Sequence, residues 1–380
     1  MRILLNCIGL KPLFYEKGGA IQKIISHHIS YLERKHDIIV IGQIAKNIAN
    51  IKLIPYEEIP DLSSIRNFIS HGVLGFLKMK KIEADLVIST HQRNFFPSFL
   101  YAKFKGKPMI AWELDHEFWV PPITKVKRLY HYLVDKTDIV IAISSVQKRR
   151  MVSYGVKPEK IILLYNCIDT RKYSPLEGKA GEKDTDNYIL YVAKFAERKN
   201  HLSLLKAFKK VVDECEEVYP DLKLYLVGPS TGAFTSKSKK ESSYYRKCLD
   251  YIHKHLEGRV NLFEDVADDE LINLYQNALL FVFPSLEEGF GMTLLEAMSC
   301  GCPCVSYNIE PQSEILGDAG YIVKDNSVDQ LANVIITLLK DDRLKEKLGK
   351  LGRKRAVSKF DIEVIGRQFE YLIDSIRVKE

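Results

Sequence analysis

The first half of the chain alternates short runs of β-branched and aliphatic residues with segments whose apolar residues recur at helical spacing. In residues 19–35, Ile21, Ile25, Ile29 and Leu32 follow one another at intervals of three or four and predict an amphipathic helix. Short strands that alternate with helices are typical of a parallel sheet covered on both faces. Strands are predicted at residues 2–7, 37–41, 85–89, 108–112, 138–143 and 160–165.

The second half repeats this alternation after a polar segment. Residues 173–187 contain proline and glycine and have no apolar period, which is typical of a linker. The same rules then predict a second parallel sheet. Its strands are predicted at residues 188–193, 222–228, 259–263, 279–284 and 302–307, and its helices near residues 199–215, 240–256, 268–277 and 292–299.

The two patterns predict an α/β protein with two Rossmann-like domains. We expect an N-terminal domain at residues 1–172, a linker at 173–187 and a C-terminal domain at 188–360. Successive helices are predicted from residue 328 onward, and periodicity leaves open whether the last one, at 361–380, packs back on the N-terminal domain. Because ligands bind beyond the carboxyl ends of parallel strands, an active site is expected in a cleft between the domains.

The length of the chain fits two domains, and its charged residues are unevenly distributed. The 380 residues, 46% of them hydrophobic, suffice for two domains. Residues 1–180 carry 28 Lys and Arg against 16 Asp and Glu, whereas residues 181–380 carry 28 against 33. The basic first half fits an anionic membrane surface, a phosphate-bearing acceptor or nucleic acid, but the acidic second half argues against a nucleic-acid duplex that contacts both. A merely solvated charged surface is an equal alternative.

The apolar runs bear on the cellular location, and the cysteines and paired aspartates bear on metal binding. No apolar run reaches the ~20 residues that cross a bilayer, so we expect a cytoplasmic protein. Cys300, Cys302 and Cys304 lack further ligands that would complete a zinc shell, and they are interpreted as structural thiols. Asp184 and Asp186 have the spacing of a metal-binding Asp-x-Asp but lie in the predicted linker, and we expect no metal site there.

The strongest chemical signal lies between Pro284 and Pro303, where an apolar strand leads through a glycine-containing turn into a helix. Gly289 and Gly291 form this turn, so backbone N–H groups at the start of the helix can approach a phosphate. Glu288 and Glu296 lie eight positions apart, a little over two helical turns, and both can face one ligand. Carboxylates suit sugar hydroxyls because they accept two O–H bonds at once.

The whole string resembles the signature of glycosyltransferase family 4. Its features are a Pro-Ser strand end, Glu-Gly-Phe-Gly, a Leu-Glu-Ala-Met helix and then Gly-x-Pro. The resemblance implies a GT-B fold and a donor site that holds a nucleotide-diphosphate sugar. On this segment, the implied donor-binding residues are Glu288, Gly289, Phe290, Gly291, Met292, Thr293, Leu294 and Glu296.

Two further segments extend the resemblance over nearly the whole chain. Residues 191–200 are similar to the family's strand end that binds the donor diphosphate, which implies this role for Lys194 and Lys199. Lys194 replaces the usual arginine and lacks its bidentate fork, so Arg198 is expected to share the role. Gly228, at the end of strand 222–228, is assigned to the same site. Residues 165–175 resemble the element that leads into the linker, with Cys167 where glycine is usual.

The N-terminal domain carries two weaker resemblances. Gly18 and Gly19 precede the first predicted helix, as does the family's glycine loop that faces the acceptor and the donor phosphates. His116 follows the strand at 108–112 and is similar to the family's histidine, which faces the transferred sugar. The local order here is Asp-His, whereas the family has His-Asp.

The resemblance implies a retaining, metal-independent transferase that needs no cofactor and uses a UDP- or GDP-linked sugar. His116, Glu288 and Lys199 are the implied catalytic residues. Glu288 would hold hydroxyls of the transferred sugar and Glu296 the ribose. The acceptor would be a hydroxyl of a glycan, a lipid-linked glycan or a lipid. A peripheral contact with an anionic membrane is a further expectation, with 75–81 and 125–130 as segments that mix cations with apolar groups.

Several alternatives remain open at this point. A nucleotide-sugar epimerase or phosphorylase has the same fold, and a non-catalytic sugar-nucleotide-binding protein is a second alternative. Nucleic-acid binding ranks last. A nicotinamide-dependent enzyme is disfavoured because Leu294 stands where the dinucleotide fingerprint requires glycine and Gly42 stands where an acidic ribose ligand is expected.

Overall fold

The computed structural model describes residues 1–7, 13, 20–43, 51–55, 64–176, 187–229 and 243–377. The chain forms two compact units. The N-terminal unit comprises Met1–Cys167 and Ile362–Glu380, and the C-terminal unit comprises Ile168–Asp361.

Strands and helices are numbered along the whole chain. The strands are β1 (Arg2–Asn6), β2 (Asp37–Gly42), β3 (Ile51–Pro55), β4 (Leu86–Ser89), β5 (Met109–Glu113), β6 (Ile139–Ala142), β7 (Ile161–Leu163), β8 (Tyr188–Val192), β9 (Lys223–Val227), β10 (Val260–Phe263), β11 (Leu280–Phe283), β12 (Cys304–Tyr307) and β13 (Tyr321–Val323). The helices are α1 (Ala20–Leu32), α2 (Ile65–Met79), α3 (Gln92–Lys105), α4 (Lys125–Val134), α5 (Ser145–Ser153), α6 (His201–Cys215), α7 (Ser243–His255), α8 (Asp268–Asn277), α9 (Met292–Ser299), α10 (Gln312–Leu316), α11 (Val328–Leu339), α12 (Asp342–Arg355) and α13 (Ile362–Arg377).

Each unit is built on one parallel sheet. The sheet of the N-terminal unit has the strand order β3-β2-β1-β4-β5-β6-β7, and that of the C-terminal unit has the order β10-β9-β8-β11-β12-β13. The central strands are buried on both faces, which explains their continuous apolar sequences. These two Rossmann-like sheets confirm the α/β class expected from the alternating pattern.

The last helix, α13, belongs to the N-terminal unit and packs against α1. Its Phe369 ring lies 5.0 Å from that of Trp112 and 5.2 Å from that of His28. At the surface, Arg34 donates two hydrogen bonds of 2.9 and 3.0 Å to the carboxylate of Glu363. The chain therefore returns to its first domain after completing the second.

All seven cysteines are buried free thiols. Burial raises the pKa of Cys300 and Cys304 above the usual value for a thiol, so both stay protonated at neutral pH. Asp184 and Asp186 lie outside the described residues. No helix in the described part of the chain is long and apolar enough to cross a membrane.

Candidate functional site

The carboxyl ends of β8, β9, β11 and β12 meet at one edge of the C-terminal sheet, because all its strands are parallel. Lys194 follows β8 and Gly228 follows β9. The two strand ends approach so closely that a Cβ atom at Gly228 would lie 2.2 Å from the carbonyl oxygen of Ala193. Gly228 also has a φ of +148°, so glycine is required there on two counts.

The loop after β11 ends at Gly291, which precedes α9 with a φ of +107°. Gly291 occupies the N-cap position and has no side chain with which to cap the first turn of α9. The N–H groups of Met292 and Thr293 therefore remain available to an anion, and the helix dipole adds positive potential. Phe290 is buried beneath this turn, with its ring 6.1 Å from that of Phe360.

Lys199 and Glu288 are brought together although they are 89 residues apart in sequence. The Lys199 ammonium donates a hydrogen bond to Glu288 Oε1 and lies 5.9 Å from the centre of the Phe283 ring. The Lys199 side chain is only 13% exposed and that of Glu288 only 8%. The structure thus joins a cation and a carboxylate that the sequence assigned to one site.

Hydrogen bonds hold the two loops that carry this pair. Tyr191 Oη donates to the carbonyl oxygen of Lys199 at 2.7 Å and lies 3.0 Å from Ser285 Oγ. Arg198 Nη1 donates to the carbonyl oxygen of Glu287 at 3.2 Å. Arg198 therefore binds the neighbouring loop through one nitrogen, and its position beside Glu287 keeps it close to the predicted donor site. Lys194 is half-buried at the same sheet edge.

A second carboxylate, Glu296, is buried inside α9 and is held by a residue that the sequence did not indicate. Tyr275 of α8 donates a hydrogen bond from its hydroxyl to Glu296 Oε2 at 2.9 Å. Burial first, and then the adjacent Glu296 carboxylate, raise the pKa of Tyr275 well above its usual value. Tyr275 thus remains a hydrogen-bond donor and fixes the orientation of Glu296.

A buried amide supports the loop after β11 from below. Gln312 Nε2 donates to the carbonyl oxygen of Ser285 at 3.1 Å, and Ser306 Oγ donates to Gln312 Oε1 at 2.8 Å. All three residues are fully buried. Because buried polar groups with complete partners are costly to move, this network gives the loop one fixed conformation.

In the N-terminal unit, His116 lies in a group of three polar residues after β4 and β5. Asp115 is flanked by two histidines, with its carboxylate oxygens 3.5 Å from His91 Nε2 and 3.6 Å from His116 Nδ1. Burial alone would raise the pKa of Asp115, but the hydrogen bond to His91 and the charges of His91 and His116 lower it below its ordinary value. Asp115 is therefore ionised and orients both imidazole rings. The sequence indicated His116 and not His91, which is distant along the chain.

Beneath this group lies a carboxylate shielded from water. Glu113 accepts hydrogen bonds from Trp119 Nε1 at 2.9 Å and from the hydroxyl of Tyr130. Burial raises its pKa to about 7. Its partners belong to the protein core, so Glu113 secures the segment that carries Asp115 and His116.

Two sequence features concern glycine positions in predicted turns. Gly18 and Gly19 lie outside the described residues. Cys167, which occupies the usual position of a glycine, is not among the described non-glycine residues with positive φ, which are Asn200, Asp265 and Asn326. The turn at Cys167 therefore forms without the left-handed backbone that would have required glycine.

Comparison with known protein families identifies the group to which these features belong. The model described as Glycosyl transferases group 1 matches residues 175–355, and the model described as Glycosyltransferase Family 4 matches residues 23–172. The chain belongs to glycosyltransferase family 4. The two models together span most of both units and include His116, Lys199 and Glu288, whereas Gly18 and Gly19 precede the matched residues.

Two relatives illustrate where this family-4 chain is similar to known proteins. N-acetyl-alpha-D-glucosaminyl L-malate synthase of Bacillus anthracis is 29% identical over 253 residues, which are 64% of this chain and 61% of that protein. O-antigen chain mannosyltransferase B of Escherichia coli is 35% identical over 234 residues, which are 58% of this chain and 56% of that protein. The chain therefore matches less than two thirds of the length of either relative.

A solved structure establishes the fold. The crystal structure of HepE from Anabaena, in complex with UDP and glucose, has a TM-score of 0.75 and 18% sequence identity over 98% of this chain and 99% of that one. At this identity the likeness concerns the fold alone. It confirms the expected GT-B class for the family-4 chain.

Proposed function

We propose that this chain transfers a sugar from a nucleotide-diphosphate sugar to a hydroxyl acceptor, with retention at the anomeric carbon. The observation that carries the proposal is the contact between Lys199 and Glu288 at the sheet edge from which α9 begins. This contact brings together a cation that can bind the diphosphate and a carboxylate that can bind sugar hydroxyls.

We assign the donor to the C-terminal unit. Lys194, Arg198 and Lys199 neutralise the diphosphate, and the N–H groups from Gly291 to Thr293 add donors whose positions are fixed before binding. The remaining backbone of the motif, which comprises Gly289, Phe290 and Leu294, shapes this turn. The glycine at position 228 keeps the ends of β8 and β9 close together.

The two glutamates recognise different parts of the donor in this proposal. Glu288 accepts hydrogen bonds from hydroxyls of the transferred sugar, and Glu296, held by Tyr275, accepts them from the ribose. HepE was crystallised with UDP and glucose, which supports a UDP-linked donor here, and a GDP-linked donor is the alternative. Because the chain supplies its own cations for the diphosphate, we propose that transfer proceeds without a metal ion.

We propose a reaction that needs no covalent intermediate with the protein. The acceptor oxygen forms a bond to the anomeric carbon on the face that the leaving group departs from, while the bond between that carbon and the diphosphate oxygen breaks. The acceptor proton passes to a phosphate oxygen of the departing nucleoside diphosphate. Lys194 and Lys199 stabilise the charge that develops on this leaving group, so no covalent bond to the protein is required.

The N-terminal unit would serve the acceptor side. We propose that His116, oriented by Asp115, faces the transferred sugar and that Gly18 and Gly19 contribute to the acceptor and phosphate contacts. A glycan, a lipid-linked glycan or a lipid would supply the hydroxyl.

The stereochemistry of the product tests this function. The chain is incubated with UDP- and GDP-linked sugars and a glycan and lipid acceptor extract, and the anomeric proton of the product is followed by NMR. We expect acceptor-dependent release of nucleoside diphosphate and an unchanged anomeric configuration. Consumption of the donor without an acceptor would instead indicate an epimerase or hydrolase, and an inverted product would contradict retention.

A further inference from the structure

Helix α2 of the N-terminal unit is apolar on two opposite faces. One face carries Phe68, Gly72, Gly75 and Met79, which are buried. It packs so tightly on α3 that a Cβ atom at Gly72 would lie 1.9 Å from the Phe96 ring. This buried face attaches α2 to the core of the N-terminal unit.

The other face of α2 points into solvent and is also apolar. Ile69, Val73, Leu74 and Leu77 are between 43% and 50% exposed. Phe104 of α3, whose ring lies 5.3 Å from that of Phe76, is 66% exposed. Single exposed apolar side chains are ordinary, but a helical stripe of four aliphatic residues with an adjacent aromatic ring indicates an interaction surface. We call these five residues the α2–α3 apolar surface.

Cations border the α2–α3 apolar surface. Arg66 lies at the start of α2, and Lys78, Lys80 and Lys81 lie at its end, all of them exposed. Within the part of the chain that the structure describes, no ion pair involves these three lysines. The nearby Glu83 is already paired with Lys105 at 2.5 Å.

The other basic segment of this unit is organised differently. In α4, Val126 and Tyr130 are buried, so its apolar side faces the core. Lys127 donates hydrogen bonds to the carbonyl oxygens of Glu117 at 2.6 Å and Val120 at 2.8 Å. The segment at 125–130 is therefore an ordinary amphipathic helix, whereas α2 presents apolar groups and cations outward together.

We propose that the α2–α3 apolar surface docks on an anionic lipid bilayer. An interfacial helix inserts its aliphatic side chains at the boundary between headgroups and acyl chains, while flanking lysines contact lipid phosphates. A protein partner is a poorer match, because protein interfaces are depleted in lysine and enriched in aromatic residues and arginine. The surface here is mainly aliphatic and is bordered mainly by lysine.

Vesicle flotation of the full-length chain tests the proposal, in the absence of any nucleotide sugar, so the result is independent of the proposed transfer reaction. Vesicles of phosphatidylcholine alone are compared with vesicles that also contain phosphatidylglycerol. We expect the chain to float with the anionic vesicles, less with the neutral ones, and less at high salt.

Two variants remove the two parts of the surface separately. Val73→Asp combined with Leu77→Asp places charge in the apolar stripe, and Lys80→Glu combined with Lys81→Glu reverses the flanking charge. Because each cation near an anionic bilayer contributes a factor of about five, we expect the second variant to lower the partition coefficient by at least ~25-fold. The exposed positions keep both variants folded, which thermal unfolding checks.

Matched controls lie elsewhere on the same unit. Val152→Asp changes an exposed apolar residue of α5, which is 39% exposed. Lys125→Glu combined with Lys157→Glu reverses two exposed lysines that belong to neither α2 nor α3. Both should float like the unaltered chain, since the binding surface is local.

Three results would overturn the proposal. The unaltered chain could fail to float with anionic vesicles, or both α2 variants could float as it does. In the third case, the chain would form dimers that the Val73→Asp and Leu77→Asp variant dissociates, with no vesicle binding, and the surface would then be a contact between copies of the chain.

Discussion

Glu288 and Lys199 neutralise each other in the structure, and this pairing has a consequence for donor binding. In the proposed donor site, the diphosphate would draw the Lys199 ammonium away from the carboxylate, whereas the sugar would contact the carboxylate itself. The two functions of the pair can therefore be separated by removing one charge.

Glu288→Gln is expected to preserve or strengthen binding of a free nucleoside diphosphate, because Lys199 is released from its partner. Turnover of the nucleotide sugar should fall about tenfold or more, in line with the loss of a hydrogen bond to a charged group, worth about 1.5–3 kcal/mol. Calorimetric titration and steady-state kinetics measure the two effects. Glu197→Gln, which alters an exposed carboxylate near Lys199, should change neither. Equal losses of affinity and turnover at Glu288 would contradict the separate roles.

His28 provides a residue-scale prediction about pH. Its ring is fully buried between Trp112 and Phe369, and neither ring nitrogen has a hydrogen-bond partner among the described residues. Burial and the neighbouring His27 lower its pKa from 6.5 to about 3. Below pH 6.5 the unfolded chain therefore binds a proton that the folded chain refuses. The contribution of neutral His28 to the free energy of unfolding is therefore fully present above pH 6.5 and is lost as the pH falls toward 3.

Replacing His28 by leucine removes this proton-linked loss. Urea denaturation at pH 7.5 and pH 5.0 measures the free energy of unfolding. On acidification this free energy should fall less in His28→Leu than in the unaltered chain. The difference should reach up to about 1.4 kcal/mol for each pH unit below 6.5. His253→Leu alters an exposed histidine of α7 and should retain the original pH dependence. An identical acid loss in all three proteins would rule out His28 as its source.

Residues in contiguous motifs could be predicted from the sequence, and residues that act across space could not. Glu288 and Glu296 lie in one recognisable sequence motif. Lys194 and Lys199 follow the end of a predicted strand. Tyr275, Gln312 and His91 are distant from those motifs in sequence. Their contribution depends on hydrogen bonds that form only when separate strands and helices meet.

At the scale of elements, periodicity located strands and helices where burial is one-sided or complete. Helix α9 begins and ends at the predicted residues 292 and 299. Two edge strands were not predicted, because β3 is only partly buried and β13 has three residues. Neither provides the continuous apolar run that identified the central strands.

The orientation of α2 depends on its packing against α3. The sequence identified cations mixed with apolar residues at 75–81 and at 125–130, but periodicity could not decide which face meets the core. Packing against α3 settles it for α2, because that side is occupied by Phe68 and Met79. Ile69, Val73, Leu74 and Leu77 on the opposite face stay exposed.

Contact between two helices also sets the geometry of the site. Tyr275 extends from α8 to Glu296 in α9, so the position of the carboxylate depends on how the two helices pack. The Tyr275 hydroxyl donates its proton to Oε2, so the carboxylate keeps one orientation relative to α8. Tyr275→Phe therefore tests the packing of the site without removing the carboxylate.

At the scale of the whole molecule, each unit has its own parallel sheet and its own group of polar residues at the carboxyl ends of strands. The α/β class followed from alternation alone, and family membership follows from the matched models. Which nucleotide, sugar and acceptor are used depends on individual contacts, and no periodic pattern encodes them.

We propose above all that the sheet edge holding Lys199, Glu288 and Glu296 is the donor site. Titration calorimetry with UDP and GDP tests it without an acceptor. One nucleotide should bind the unaltered chain, Glu296→Gln should weaken it about tenfold or more, and Tyr275→Phe should weaken it about fivefold, since a neutral hydrogen bond contributes about 1 kcal/mol. Failure of both nucleotides to bind at millimolar concentration, or unchanged affinity in Glu296→Gln, would contradict the claim.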